Sequence, residues 1–137
     1  MSTSRLPAFP AIALVAATLA LPLALAAPAA AQSRLIESYT ARLSSADHFN
    51  SSGERLTSPA AIIRQDRANF HKFGIRDDED ESDRFFADQG NRALMERLLE
   101  RGRTSRSARS AIVDGTPLIH MNVYDGPDGA WVEATVD

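Results

Sequence analysis

The stretch Pro117-Leu118-Ile119-His120-Met121-Asn122-Val123-Tyr124, followed after Asp125–Ala130 by Trp131-Val132-Glu133-Ala134-Thr135-Val136, decides the fold. Ile119, Met121 and Val123 alternate with His120, Asn122 and Tyr124, and Val132, Ala134 and Val136 alternate with Trp131, Glu133 and Thr135. Period-two alternation is the mark of strands with one buried side. Keeping one face apolar fixes the register. Val123 is expected opposite Val132, Met121 opposite Ala134 and Ile119 opposite Val136, with Tyr124 beside Trp131 on the other face. The segment Asp125–Ala130 then loops the hairpin.

Working outward, Leu35-Ile36-Glu37-Ser38-Tyr39-Thr40-Ala41-Arg42-Leu43 is a further strand, with Leu35, Tyr39, Ala41 and Leu43 on one side. It ends at Ser44-Ser45, and Asp47–Gly53 has the composition of a turn. Thr57 or Ser58 can cap a helix over 59–73, with Pro59 at its first position and Gly74 as its stop. Ile62, Ile63, Phe70 and Phe73 share one face of that helix, and Asp66 falls in the middle of it. A second helix is expected over 92–101, capped by Asn91 and carrying Leu94, Met95, Leu98 and Leu99 as its apolar stripe. Arg103–Ser110, rich in serine and arginine, reads as a linker. Ala111-Ile112-Val113 reads as strand before an Asp114-Gly115 turn.

Asp77–Asp83 holds acids at every position except Ser82. It is expected to be a solvated loop whose last acids begin a short helix, where carboxylates suit the positive end of the helix dipole. Phe85 and Phe86 would anchor that helix to the core. Strands and helices segregated in this order imply an α+β domain, a small antiparallel sheet with two to three helices packed on one face.

The N-terminus reads as a signal peptide preceding that domain. After Arg5, the run Ala11–Ala27 carries no charge, and Ala29-Ala30-Ala31 supplies the small residues a signal peptidase needs, so cleavage is expected before Gln32. Residues 1–31 are thus a leader and 32–137 a single exported domain, periplasmic or extracellular, with no stable membrane insertion once the leader is gone. Loss of Arg5 leaves 14 basic and 18 acidic side chains, a net charge of −4, which argues against a nucleic-acid partner. The absence of cysteine excludes disulfides, thiolate metal sites and a cysteine nucleophile.

Asp66 is the leading chemical oddity, because a carboxylate on an apolar face must be paired, hydrogen-bonded or neutral. It is a candidate general acid or base; as a structural group it would bond amides of the Asp47–Gly53 turn or pair with an arginine such as Arg92. His71 lies about 140° around the helix from Asp66 at 100° per residue, so a dyad within the helix is not expected, and His71 is a weak second catalytic candidate. His48 and His120 have no metal-ligand spacing with Asp47 or Glu133, and no metal or other cofactor is expected. An EF-hand needs glycine at its sixth position and glutamate at its twelfth; counted from Asp78 these are Asp83 and Gln89, and counted from Asp77 they are Ser82 and Asp88. The block Arg101, Arg103, Arg106 and Arg109 is the counterpart of the acidic run, and the two are expected to attract one another.

If helices cover the apolar side of the sheet, the other side presents Tyr124, Trp131, His120 and Glu133, residue types suited to contact surfaces. No GxSxG motif and no glycine-rich phosphate loop is present. The sequence therefore points first to an exported binding or accessory domain whose partner is an envelope protein or a small ligand. The alternative is a small hydrolase using Asp66 as general acid or base.

Overall fold

The computed structural model describes residues 32–137; the signal-peptide reading of residues 1–31 lies outside them. The C-terminal hairpin pairs β2 (Leu118–Gly126) with β3 (Gly129–Val136). Ile119 lies opposite Val136, Met121 opposite Ala134, Val123 opposite Val132 and Tyr124 opposite Trp131, as alternation requires. The strands run further than expected, to a Gly126–Gly129 pair, so the connection is only Pro127-Asp128. Gly129 closes it with φ of 102°, a conformation that disfavours side chains.

β1 (Arg34–Arg42) adds antiparallel to β2, giving a three-stranded sheet in the order β1-β2-β3. Tyr39, Ala41 and Leu43 are buried, but Leu35 is 50 % exposed. The pairing skips a residue between Leu35 and Glu37, and such a bulge reverses the inside–outside alternation for the residues before it.

Helices lie over the apolar face. Ser58 Oγ accepts from the Ala61 amide and Pro59 opens α1 (Pro59–Ala68), which continues as a π-helical turn through Asn69–Phe73 and stops at Gly74, φ 68°. Ile62, Ile63 and Phe70 enter the core, whereas Phe73 is 49 % exposed, because the wider π turn rotates it off the apolar face. The expected helix over 92–101 is two. Asp88, not Asn91, caps α2 (Gln89–Ala93), and α3 (Met95–Arg101) begins after a break at Leu94 that leaves this side chain exposed. Asn91 Nδ2 is spent instead on the Phe85 carbonyl, 2.9 Å away.

The Ser/Arg-rich linker and the Ala111–Val113 strand are both corrected by α4 (Arg106–Asp114). Ser105 Oγ accepts from the Ala108 amide as N-cap. Ala108 and Ile112, four residues apart, are buried, and the serines and arginines between them form the outer surface of the helix. Ile112 joins Tyr39, Leu43, Phe86, Met95, Met121 and Val132 in one core. Burial of each large apolar side chain contributes about 1.5–3 kcal/mol.

Among the described residues no ion pair joins the two charged blocks; each covers a different edge of the sheet. Along β1, Glu81 accepts from the Thr40 amide and Asp80 from the Arg42 amide. Glu79 pairs with the Arg42 guanidinium at 2.8 Å, which holds the exposed Glu79 carboxyl below its usual range. Conversely, β1 contributes Glu37, whose carboxylate accepts from the Arg84 and Phe85 amides. The acidic run is therefore a strap docked on an edge strand rather than a free loop, and its last acids start no helix: 84–88 is bends and turns. On the β3 edge, Arg103 forms a parallel bridge with Glu133, its amide bonding Val132 O and its carbonyl accepting from Ala134. This approach requires Gly102, since a Cβ there would stand 1.5 Å from Val132 O. Both edges, which would otherwise template strand addition, are covered.

Candidate functional site

Two groups of side chains concentrate the unusual chemistry. The first lies under α1. Arg67 is fully buried and Asp66 is 2 % exposed. Arg67 Nε donates to Asp66 Oδ2 at 2.7 Å and Nη1 donates to Asp83 Oδ2 at 3.0 Å. Asp83 also accepts from His71 Nε2 at 2.8 Å and from the Phe86 amide. The guanidinium carbon of Arg67 sits 4.4 Å from the Tyr39 ring centre and 4.7 Å from that of Phe70. The partner of Asp66 is thus its neighbour in sequence, not Arg92 or the turn amides. Asp47, from that turn, is itself buried and accepts from Asn69 Nδ2 at 2.8 Å.

One guanidinium between two carboxylates leaves an acid in excess. Burial raises the Asp66 carboxyl to about 7 despite the opposing pull of Arg67, with Asp47 and Asp80 adding to the rise. Burial alone would lower the Arg67 guanidinium, but Asp66 above all, with Tyr39 and Asp83, holds it protonated above its ordinary range. Burial also raises the Tyr39 hydroxyl, which makes no hydrogen bond, and the Asp47 carboxyl. His71 is joined to this cluster through Asp83, a bridge across Asp83 that helix geometry alone could not reveal. Its side chain is 11 % exposed. Asp66 is enclosed, and its contact is with Arg67 in a buried charge network.

The second group is the polar face of the sheet, which no helix among the described residues covers. Tyr124 and Trp131 stack with ring centres 4.1 Å apart and planes 12° from parallel. Trp131 Nε1 donates to Ser33 Oγ at 3.0 Å, and the Arg103 guanidinium lies 5.9 Å from the indole. Glu133 Oε2 accepts from the Tyr124 hydroxyl at 3.5 Å. Further along the face, His120 Nε2 donates to Asp137 Oδ2 at 2.9 Å, and Thr40 Oγ1 lies 3.3 Å from His120 Nδ1. Tyr124, Trp131, His120 and Glu133 therefore do share one surface. Beside the indole, Ser33, Arg101 and the Gly126–Gly129 turn border a hollow of about 440 Å³.

His48 is far from this face. Its ring nitrogens lie 2.9 Å from the carbonyls of Ser44 and Ile112, tying the 3-10 turn Ser45–His48 to α4. Among the described residues, no group of three histidine or acidic side chains is arranged to hold a metal ion, and no helix is long and apolar enough to cross a membrane. Asp83 and Ser33 were missed as site residues by sequence reasoning. Asp83 is masked by the acids around it, although it alone directly precedes the Arg84-Phe85-Phe86 anchor. No family model matches the chain, and no curated protein or solved structure matches it either.

Proposed function

We propose that residues 32–137 form an exported binding or accessory domain, released to the periplasm or medium by cleavage before Gln32. It recognises an envelope protein or a small ligand through the polar face of its sheet. The observation that carries this reading is the Tyr124–Trp131 stack on the sheet face that has no helical layer among the described residues. Tyr and Trp give large contact area at low entropic cost, and Glu133, His120 and Asp137 flank them with groups able to pair with a charged partner. With both sheet edges covered, a partner gains little by adding a strand, so the face is the favoured approach. The hydrolase alternative rests on Asp66 and has less support, because that carboxyl is enclosed and bound to Arg67.

The test is Trp131→Ala together with Tyr124→Ala. Both rings lie outside the apolar core, so the variants should keep their thermal transition and lose the partner. Retention of every interaction by the double variant refutes the reading.

A further inference from the structure

Arg64 and Ala68, four residues apart on α1, and Lys72 on the π-helical turn that follows it border one cleft. Facing them from α2 is Arg92, and the cleft between has a volume of about 260 Å³. Gln65, Gln89 and Ser51 add neutral polar groups at its rim, and Phe73 and Ala93 supply an apolar wall. Among the described residues no carboxylate lines it. Asp88, next to Gln89, is turned to the Asn91 amide as the cap of α2, and Glu96 borders a separate hollow with Arg64.

The decisive residue is Arg92. It is 7 % exposed, and its Nη1 donates to the carbonyls of Phe86 and Ala87 at 2.6 and 3.0 Å. Among the described residues, neither Arg92 nor Arg64 nor Lys72 has an acidic partner within ion-pair distance. Arg67, which is fully buried, is by contrast held by two carboxylates. A buried cation without a counter-charge is costly, and Arg92 shares its cleft with two exposed cations that also lack an acidic partner, against the net acidic charge of the chain.

We propose that this cleft binds a small organic phosphate. Three cations call for more negative charge than one carboxylate brings. A phosphate monoester carries about −1.5 to −2 at neutral pH, with three acceptor oxygens suited to the guanidinium fork. The ester's organic part packs on Phe73, Ala68 and Ala93. The cleft is near the lower end of the size range of ligand pockets, which limits that part to a single small group. The site is on the helical layer and independent of the sheet face.

The experiment is calorimetric titration of the purified protein with phenyl phosphate, inorganic phosphate and benzoate at matched ionic strength. Saturable binding of phenyl phosphate is expected, at least about tenfold tighter than benzoate and tighter than inorganic phosphate. The exposed pair Arg64→Gln/Lys72→Gln should weaken it by at least about tenfold with the thermal transition of the free protein unchanged. Arg103→Gln/Arg106→Gln, outside the cleft, should leave it intact. Absence of saturable binding, equal affinity for benzoate, or survival of binding in the Arg64/Lys72 variant overturns the proposal.

Discussion

Replacing Asp66 by asparagine tests the charge network under α1. The Asp66 carboxyl titrates at about 7 in the fold against an ordinary 3.8, so between those values the folded chain keeps a proton that the unfolded chain has released. Stability must then fall as pH rises through that window and level off above it. At about 1.4 kcal/mol per decade, ionising Asp66 costs the fold on the order of 4 kcal/mol. Asparagine copies the shape of the protonated acid, and its Oδ1 can still accept from Arg67 Nε, now 2.7 Å from Asp66 Oδ2. Asp66→Asn is therefore close to neutral at about pH 4 and gains on the parent by that amount on reaching about pH 8. Urea unfolding followed by circular dichroism at several pH values measures the difference. Asp47, raised in the same direction, repels Asp66 when both are ionised, so its contribution runs in the same direction as the variant's gain at high pH. A difference that does not change with pH, or that turns against the variant as pH rises, would show that the Arg67 ion pair outweighs burial and refute the reasoning.

Three further outcomes follow from the fold. Arg67→Met strands Asp66 and Asp83 without a cation and should cost about 3–5 kcal/mol in thermal or urea unfolding; stability equal to the parent contradicts the network. Gly102→Ala places a methyl on Val132 O, releases Arg103 from β3 and should lower stability by at least about 1–3 kcal/mol, with faster amide exchange at Ala134. Intact-mass measurement of the exported protein should give the mass of a chain starting at Gln32; a chain still carrying residues 1–31 sinks the export reading.

The hairpin was legible because alternation on a half-buried sheet leaves one register that keeps Met121, Val123, Val132 and Ala134 together. The placement of Tyr124, Trp131, His120 and Glu133 on one surface followed from the same periodicity. Helix α4 was not legible, since its apolar stripe is only Ala108 and Ile112 and its exposed serines and arginines have the composition of a loop. What identified it was the Ser105 cap, visible once the structure placed it. Asp66 stood out correctly as an acid on an apolar face, but its pairing with Arg67 and Asp83 depends on where the acidic strap docks. That contact spans from α1 to a segment whose position only the tertiary fold sets. The cationic cleft was hidden for the same reason: Arg64 and Lys72 look like ordinary surface charges until α2 brings Arg92 against them.

The polar sheet face is tested most directly by immobilising the domain away from that face and asking what it captures. Both ends of the described chain lie on it, Ser33 against Trp131 and Asp137 against His120, so a terminal tag would obstruct it. The chain has no cysteine, and Ser110→Cys on the exposed side of α4 gives a single attachment point. A native envelope extract passed over this resin should yield a partner in stoichiometric amount, absent when Tyr124→Ala and Trp131→Ala are combined in the same protein. A partner retained equally by the double variant, or none captured by the parent, would contradict the assignment of this face.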